Sequence, residues 1–234
     1  MEALIKKIND LDFVNLDQNK INKLEEFYKI LISENEVHNL TRITDHKEVW
    51  WKHFYDSLLI CNHIDLENKK VCDVGTGPGI PGIILKIVFP SMELTLVESN
   101  AKKTNFLKKA IDHLKLDNVH IITDRAEVYS VEAKETQDVI VSRAMAALNV
   151  LLEVSVQALK VNGIFIAMKS QKLDEELKDL NNKESLIGLQ FSKIQEISEE
   201  IIGIRRNIFY TKVKSTPNKY PRMYAQIKNR PLGN

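Results

Sequence analysis

The chain is 234 residues long, with a mass of 26.9 kDa, 44% hydrophobic residues and 28% charged residues. That suits one domain of ordinary size, and the apolar content excludes disorder throughout. Lys and Arg number 33 against 32 Asp and Glu, a formal charge of +1, so no global basic field points to nucleic acid.

Roughly the first 65 residues contain neither glycine nor proline, and their apolar residues recur at helical spacing. Leu4, Ile5 and Ile8 form one face, while Ile21, Leu24, Phe27, Tyr28, Leu31 and Ile32 form a longer one. A third segment, 48–63, carries Val49, Trp50, Phe54, Leu58 and Leu59. Residues 1–66 therefore read as a helical extension packed on the core.

From Lys69 the pattern changes. Strand-like runs at Lys70–Val74, Glu93–Glu98, Val119–Thr123, Asp138–Ser142 and Gly163–Lys169 alternate with helical ones at Ile80–Phe89, Asn100–Leu114 and Leu148–Leu159. Such alternation predicts an α/β fold, a mostly parallel Rossmann-like sheet covered by helices. After a charged helix at Lys172–Asn181, the runs Phe191–Ile197 and Asn207–Val213 come with no helix between them, so they should pair as an antiparallel edge hairpin. Residues 67–214 form this domain, and 215–234, with Pro217, Pro221 and Pro231, an extended tail. The tail region is basic: residues 201–234 hold eight Lys and Arg and no acid. An anionic partner at that end is compatible with the even overall charge.

Cys61 and Cys72 have no metal-ligand spacing, and no metal site is expected. No run approaches about 18 apolar residues, and the N-terminus lacks a signal-peptide core, so the chain reads as cytoplasmic with no membrane partner.

The strongest motif is Asp73-Val-Gly75-Thr-Gly77-Pro-Gly79-Ile80-Pro81-Gly82. An apolar strand ends in an acid, passes three alternate glycines and enters an apolar helix with Pro81 near its start. Glycine permits a tight turn and close backbone approach to a ligand, and proline fits a helix start. Such a loop at the carboxyl end of the first strand is where open parallel sheets bind nucleotides. The frame from Gly77 also matches the dinucleotide spacing, but prolines at 78 and 81 suit poorly a loop whose amides must face a pyrophosphate. Glu98, ending the second strand, can accept hydrogen bonds from ribose hydroxyls. That supports a ribose without choosing between S-adenosylmethionine and a dinucleotide. After the third strand, Asp124-Arg125-Ala126-Glu127 forms a polar loop able to read an adenine edge. The fourth strand ends Ser142-Arg143-Ala144-Met145, across the switch point from the glycine loop.

Together with Asn39-Leu-Thr41, His53-Phe-Tyr-Asp56-Ser57, Met168-Lys169, Tyr220-Pro-Arg222 and Lys228-Asn-Arg-Pro-Leu232, these stretches resemble the bacterial 16S ribosomal RNA guanine-N7 methyltransferases, the glucose-inhibited division protein B family. The resemblance runs from about residue 20 to the end. It implies the class I methyltransferase sheet and S-adenosylmethionine as cofactor, bound by Gly75, Gly77, Gly79, Ile80, Glu98, Ala126, Glu127 and Arg143. Arg143 would also be the catalytic residue. The implied partner is 16S ribosomal RNA in the small ribosomal subunit, contacted by Asn39, His53, Arg125, Lys169, Arg206 and Arg222 of a monomeric enzyme. Arg205 belongs with those cations after strand ends. The fourth-strand loop carries no Asn/Asp-Pro-Pro-aromatic motif for exocyclic amines, and neither cysteine is placed for pyrimidine carbon-5 chemistry. Guanine N7 exposes a lone pair and needs neither. Three other readings remain: a methyltransferase acting on a small molecule or another RNA, a nucleotide-binding protein without catalysis, and a dinucleotide-dependent oxidoreductase.

Overall fold

The computed structural model describes residues 1–233. Helix α1 (Glu2–Asn9) and helix α2 (Gln18–His38) open the chain. Asp17 starts α2 by accepting the Lys20 amide at 2.8 Å, and Asn39 ends it in the left-handed region at φ 48°. Helix α3 (His46–Val49) runs into a π-helical turn at Trp50–Tyr55 and a short α4 (Asp56–Leu58). Trp50 is fully buried, its indole N–H donating to Glu25 Oε1 at 2.9 Å.

Seven strands form one sheet: β1 (Lys70–Val74), β2 (Glu93–Val97), β3 (Val119–Ile122), β4 (Gln137–Arg143), β5 (Leu159–Lys169), β6 (Leu189–Glu199) and β7 (Gly203–Lys212). Their order is β3-β2-β1-β4-β5-β7-β6. The first five run parallel; β7 lies antiparallel between β5 and β6, giving the expected antiparallel edge. The order reverses between β1 and β4, which opens a crevice at their carboxyl ends.

Alternate side chains feed two apolar layers. Ile166 and Met168 of β5 join α1, α2 and the Trp50 turn on one face, with α5 (Gly82–Val88) and α6 (Ala101–Leu114). Phe165 and Ala167 join the other face, with α7 (Ala126–Glu132), α8 (Leu148–Ser155), α9 (Leu173–Leu180) and α10 (Tyr224–Asn229).

Two expectations are corrected here. The segment after β3 is a helix from Ala126, not an open loop: the Tyr129 amide returns to the Arg125 carbonyl at 3.1 Å, and Tyr129 and Ala126 enter the core. The tail is not extended throughout. Residues Tyr224–Asn229 form α10 because Ile227 finds a fully buried place beside α8, and the prolines only bracket that turn.

Candidate active site

The glycine loop is built by hydrogen bonds that begin at Asp73. Its Oδ2 accepts the Thr76 hydroxyl at 2.6 Å and the Gly82 amide at 2.8 Å, tying both ends of the loop to β1. Burial pushes this carboxyl up to about 6. The Gly75 and Thr76 amides both donate to the Val97 carbonyl, at 2.9 and 3.1 Å, so the loop lies over the end of β2. Gly75 sits at φ +68°, and a Cβ there would come within 2.6 Å of Met145 Cγ. Gly77 sits at φ +60°, and a Cβ there would meet nothing within 4 Å, so its bare backbone faces open space.

Glu98 follows β2 directly and is almost fully buried. Its Oε2 accepts the Gly77 amide at 3.1 Å and its Oε1 the Asn100 amide at 2.8 Å, with Lys103 Nζ 3.8 Å away. Beside it lies a cavity of about 330 Å³, lined among others by Gly75, Glu98, Arg125, Ala126, Glu127, Met145 and Tyr224. The residues fit S-adenosylmethionine: a carboxylate for ribose hydroxyls, a Cβ-free loop for close approach, and α7 opening onto the cavity at Ala126. Gly79 completes the loop, and Ile80 is buried beneath it.

A second cavity, of about 700 Å³, adjoins the first; Ala144, Met145 and Ala146 line both. Ala144 holds φ 55°, and Lys169 Nζ grips the Ala146 carbonyl at 2.6 Å while pairing with Glu176 at 2.7 Å. Glu176 also accepts the Leu148 amide at 2.6 Å, starting α8. His53, Asp56, Arg143 and Arg205 line this cavity too. Arg143 Nη1 donates to Asp56 Oδ2 and to the Lys52 carbonyl, each at 3.0 Å, and Nη2 meets His53 Nδ1 at 3.1 Å. The far oxygen of Asp56 accepts Arg205 Nε at 2.8 Å.

Burial, with Arg143 alongside, pushes His53 down to about 3, so its ring is neutral. Its Nδ1 lies 3.1 Å from both the Arg143 guanidinium and the Lys52 carbonyl, and its Nε2 3.0 Å from Thr41 Oγ1. Burial also draws Arg143 below the usual arginine value, while Asp56 opposes that shift.

Gly75, Glu98, Ala126 and Glu127 thus meet on the smaller cavity, whereas Arg143 lines the larger one with His53 and Lys169. Of the remaining RNA candidates, Arg125 lines the smaller cavity, and Asn39, Arg206 and Arg222 line neither. Arg125 pairs with Glu127 at 2.5 Å and stacks on Tyr224 at 4.0 Å; Arg206 bridges Asp174 and Glu196; Asn39 caps α2. Arg222 is held by Glu153. Lys52 and Glu176 carry no motif, and nothing in the sequence singles them out as site residues.

Among the described residues no helix is long and apolar enough to cross a membrane, and no group of three or more His, Cys, Asp or Glu could hold a metal ion. The fold matches solved structures at low identity. A SAM dependent methyltransferase from Aquifex aeolicus superposes with TM-score 0.58 at 15% identity, over 75% of this chain and 98% of that one. A 16S rRNA (adenine(1408)-N(1))-methyltransferase variant from Catenulisporales acidiphilia gives 0.52 at 12%, over 65% and 88%. Sequence relatives are much nearer. The ribosomal RNA small subunit methyltransferase G of Mycoplasma capricolum is 49% identical over 91% of both chains. That of Bacillus subtilis is 37% identical over 94% of this chain and 93% of its own. The family model described as rRNA small subunit methyltransferase G matches residues 20–209. The chain therefore belongs to the rRNA small subunit methyltransferase G family, and it is an S-adenosylmethionine-dependent methyltransferase.

Proposed function

We propose that the protein methylates N7 of a guanine in 16S ribosomal RNA. The observation that carries this reading is the pair of adjoining cavities with Ala144–Ala146 as their common wall. One has the glycine loop and the Glu98 carboxylate; the other has arginine and lysine side chains suited to a nucleotide.

S-adenosylmethionine supplies a methyl group on a sulfonium sulfur. With that group bound, the guanine N7 lone pair would take the methyl, the C–S electron pair would stay on sulfur, and the base would take up the positive charge. No proton leaves N7, so no general base is needed. In the cavity His53 has both ring nitrogens engaged, and the Asp56 and Glu176 carboxylates are held in ion pairs, while Glu175 and Asp179, which also line it, are exposed. Binding and alignment are then the protein's task. Glu98 and Gly75 hold the donor side, and Arg143, fixed by Asp56, His53 and the Lys52 carbonyl, shapes the acceptor side next to the common wall. A target guanine reaches such a recessed cavity when it leaves its stack.

The test is incubation with labelled S-adenosylmethionine and small ribosomal subunits or 16S ribosomal RNA, followed by mass mapping of the RNA. The reading requires N7-methylguanine at one position. Label on another base atom, or on no RNA, would overturn it.

A further inference from the structure

Arg205 is a cation of the larger cavity that is fixed in place and still has a donor left over. Its Nε is fixed on Asp56 at 2.8 Å and its Nη1 on the Ile204 carbonyl at 3.2 Å, but its Nη2 makes no hydrogen bond among the described residues. Arg143, by contrast, has both terminal nitrogens engaged, and Lys169 is occupied by Glu176 and the Ala146 carbonyl. The Arg205 side chain is 23% exposed and lines the cavity, while the carboxylate that orients it is only 4% exposed. Asp56 in turn is fixed from its other oxygen by Arg143. The result is a rigid guanidinium with one donor edge left for a ligand.

We propose that Arg205 determines base specificity by donating from Nη2 to O6 of the target guanine. This rests on the reading of the larger cavity as the acceptor site for guanine N7. On guanine's major-groove edge, O6 lies beside N7 and both are acceptors, whereas adenine carries an amino donor in place of O6. Arginine usually takes both acceptors of guanine, but N7 must stay free for the methyl group, so only O6 is available. Adenine would set an N–H against the guanidinium and leave a buried donor unpaired, which discriminates strongly. Asp56, shared between two guanidiniums, offsets charge that would otherwise oppose the cationic product.

The test compares single-turnover methylation of 16S ribosomal RNA carrying either guanine or 2-aminopurine at the target position; 2-aminopurine keeps N7 and lacks O6. Wild-type enzyme should react roughly tenfold to a hundredfold more slowly with 2-aminopurine, the loss expected for one charge-assisted hydrogen bond. Arg205→Ala should react slowly with both and show a ratio near one. Arg205→Lys, which keeps the charge and loses the oriented fork, should also lose most of the ratio while binding S-adenosylhomocysteine like wild type. The wild-type ratio needs no variant to fold, and a value near one would overturn the inference. So would a wild-type ratio retained in either variant. If no N7-methylguanine forms even with the guanine RNA, the functional reading fails and this inference fails with it; N7-methylguanine formed without discrimination removes this inference alone.

Discussion

The Arg222 guanidinium closes on the Glu153 carboxylate in two parallel contacts, Nε to Oε1 at 2.7 Å and Nη2 to Oε2 at 2.5 Å, and the Arg222 amide donates to Oε1 at 3.0 Å. Glu153 lies on α8 and is fully buried. The basic tail is therefore fastened to the domain by the one acid of α8, and Arg222 acts first on the fold. A buried pair is costly to break from one side, because the remaining charge has no partner.

Arg222→Ala should accordingly destabilise the protein by about 3 kcal/mol or more. Arg222→Ala combined with Glu153→Leu, which removes the stranded charge, should recover much of that loss. Chemical denaturation of the three proteins checks this. A single variant as stable as wild type would show that the pair contributes nothing to folding.

How far the sequence discloses this protein depends on the range of the interaction. Strand β1 at Lys70–Val74 and helix α6 stand where periodicity predicts them, because both patterns are local. Helix α7 is hidden: Val128 and Val131, β-branched and 39% and 55% exposed, break the apolar stripe that marks a core-facing helix. Tyr220-Pro-Arg222 is recognisable as a motif, yet nothing in it points to Glu153, 69 residues earlier. Asp56 likewise meets Arg143 across 87 residues and Arg205 across 149, pairings that only the fold creates. The glycine loop and Glu98 are legible because both stand beside strand ends, where open parallel sheets bind nucleotides.

Glu98→Gln should weaken S-adenosylhomocysteine binding by about 1–3 kcal/mol. Both carboxylate oxygens already accept loop amides, from Gly77 and Asn100, so the amide group of glutamine would set an N–H against an N–H as well as losing charge towards a ribose. Calorimetric titration measures the effect, and an unchanged affinity would remove Glu98 from the cofactor site.

His53 should make stability fall between pH 7 and pH 5. Its folded-state value of about 3 is below the ordinary 6.5, so the unfolded chain binds the proton more readily. The contribution is fully present above pH 6.5 and is lost as pH falls towards 3, the loss reaching about 2 kcal/mol by pH 5. Asp73 acts in the opposite sense: held up at about 6, it favours the folded state at low pH, and that contribution fades as pH rises through 6. Comparing wild type with His53→Gln cancels the Asp73 part. Urea unfolding at pH 5 and pH 7.5 should show His53→Gln losing less stability on acidification than wild type. Parallel losses would mean that His53 takes up its proton in the folded protein without penalty.

The family resemblance assigns Arg143 both to the cofactor and to the reaction, and its position lets the two roles be separated. It lines the larger cavity, and its three partners, Asp56, His53 and the Lys52 carbonyl, all come from the helical segment before the sheet. The smaller cavity, proposed for the donor, is lined instead by Gly75, Glu98 and the start of α7. Arg143→Ala should therefore leave S-adenosylhomocysteine affinity within about twofold of wild type, since no hydrogen bond of the donor site is lost. It should slow single-turnover methylation of small ribosomal subunits by roughly a hundredfold, because Asp56 and Arg205 lose the group that fixes them and a small misplacement at the acceptor is expensive. Saturating RNA should not restore the rate, as the loss is one of alignment. Both quantities come from one preparation, by calorimetry and by quench-flow. A parallel fall in cofactor affinity would return Arg143 to the donor site, and a normal single-turnover rate would remove it from the reaction.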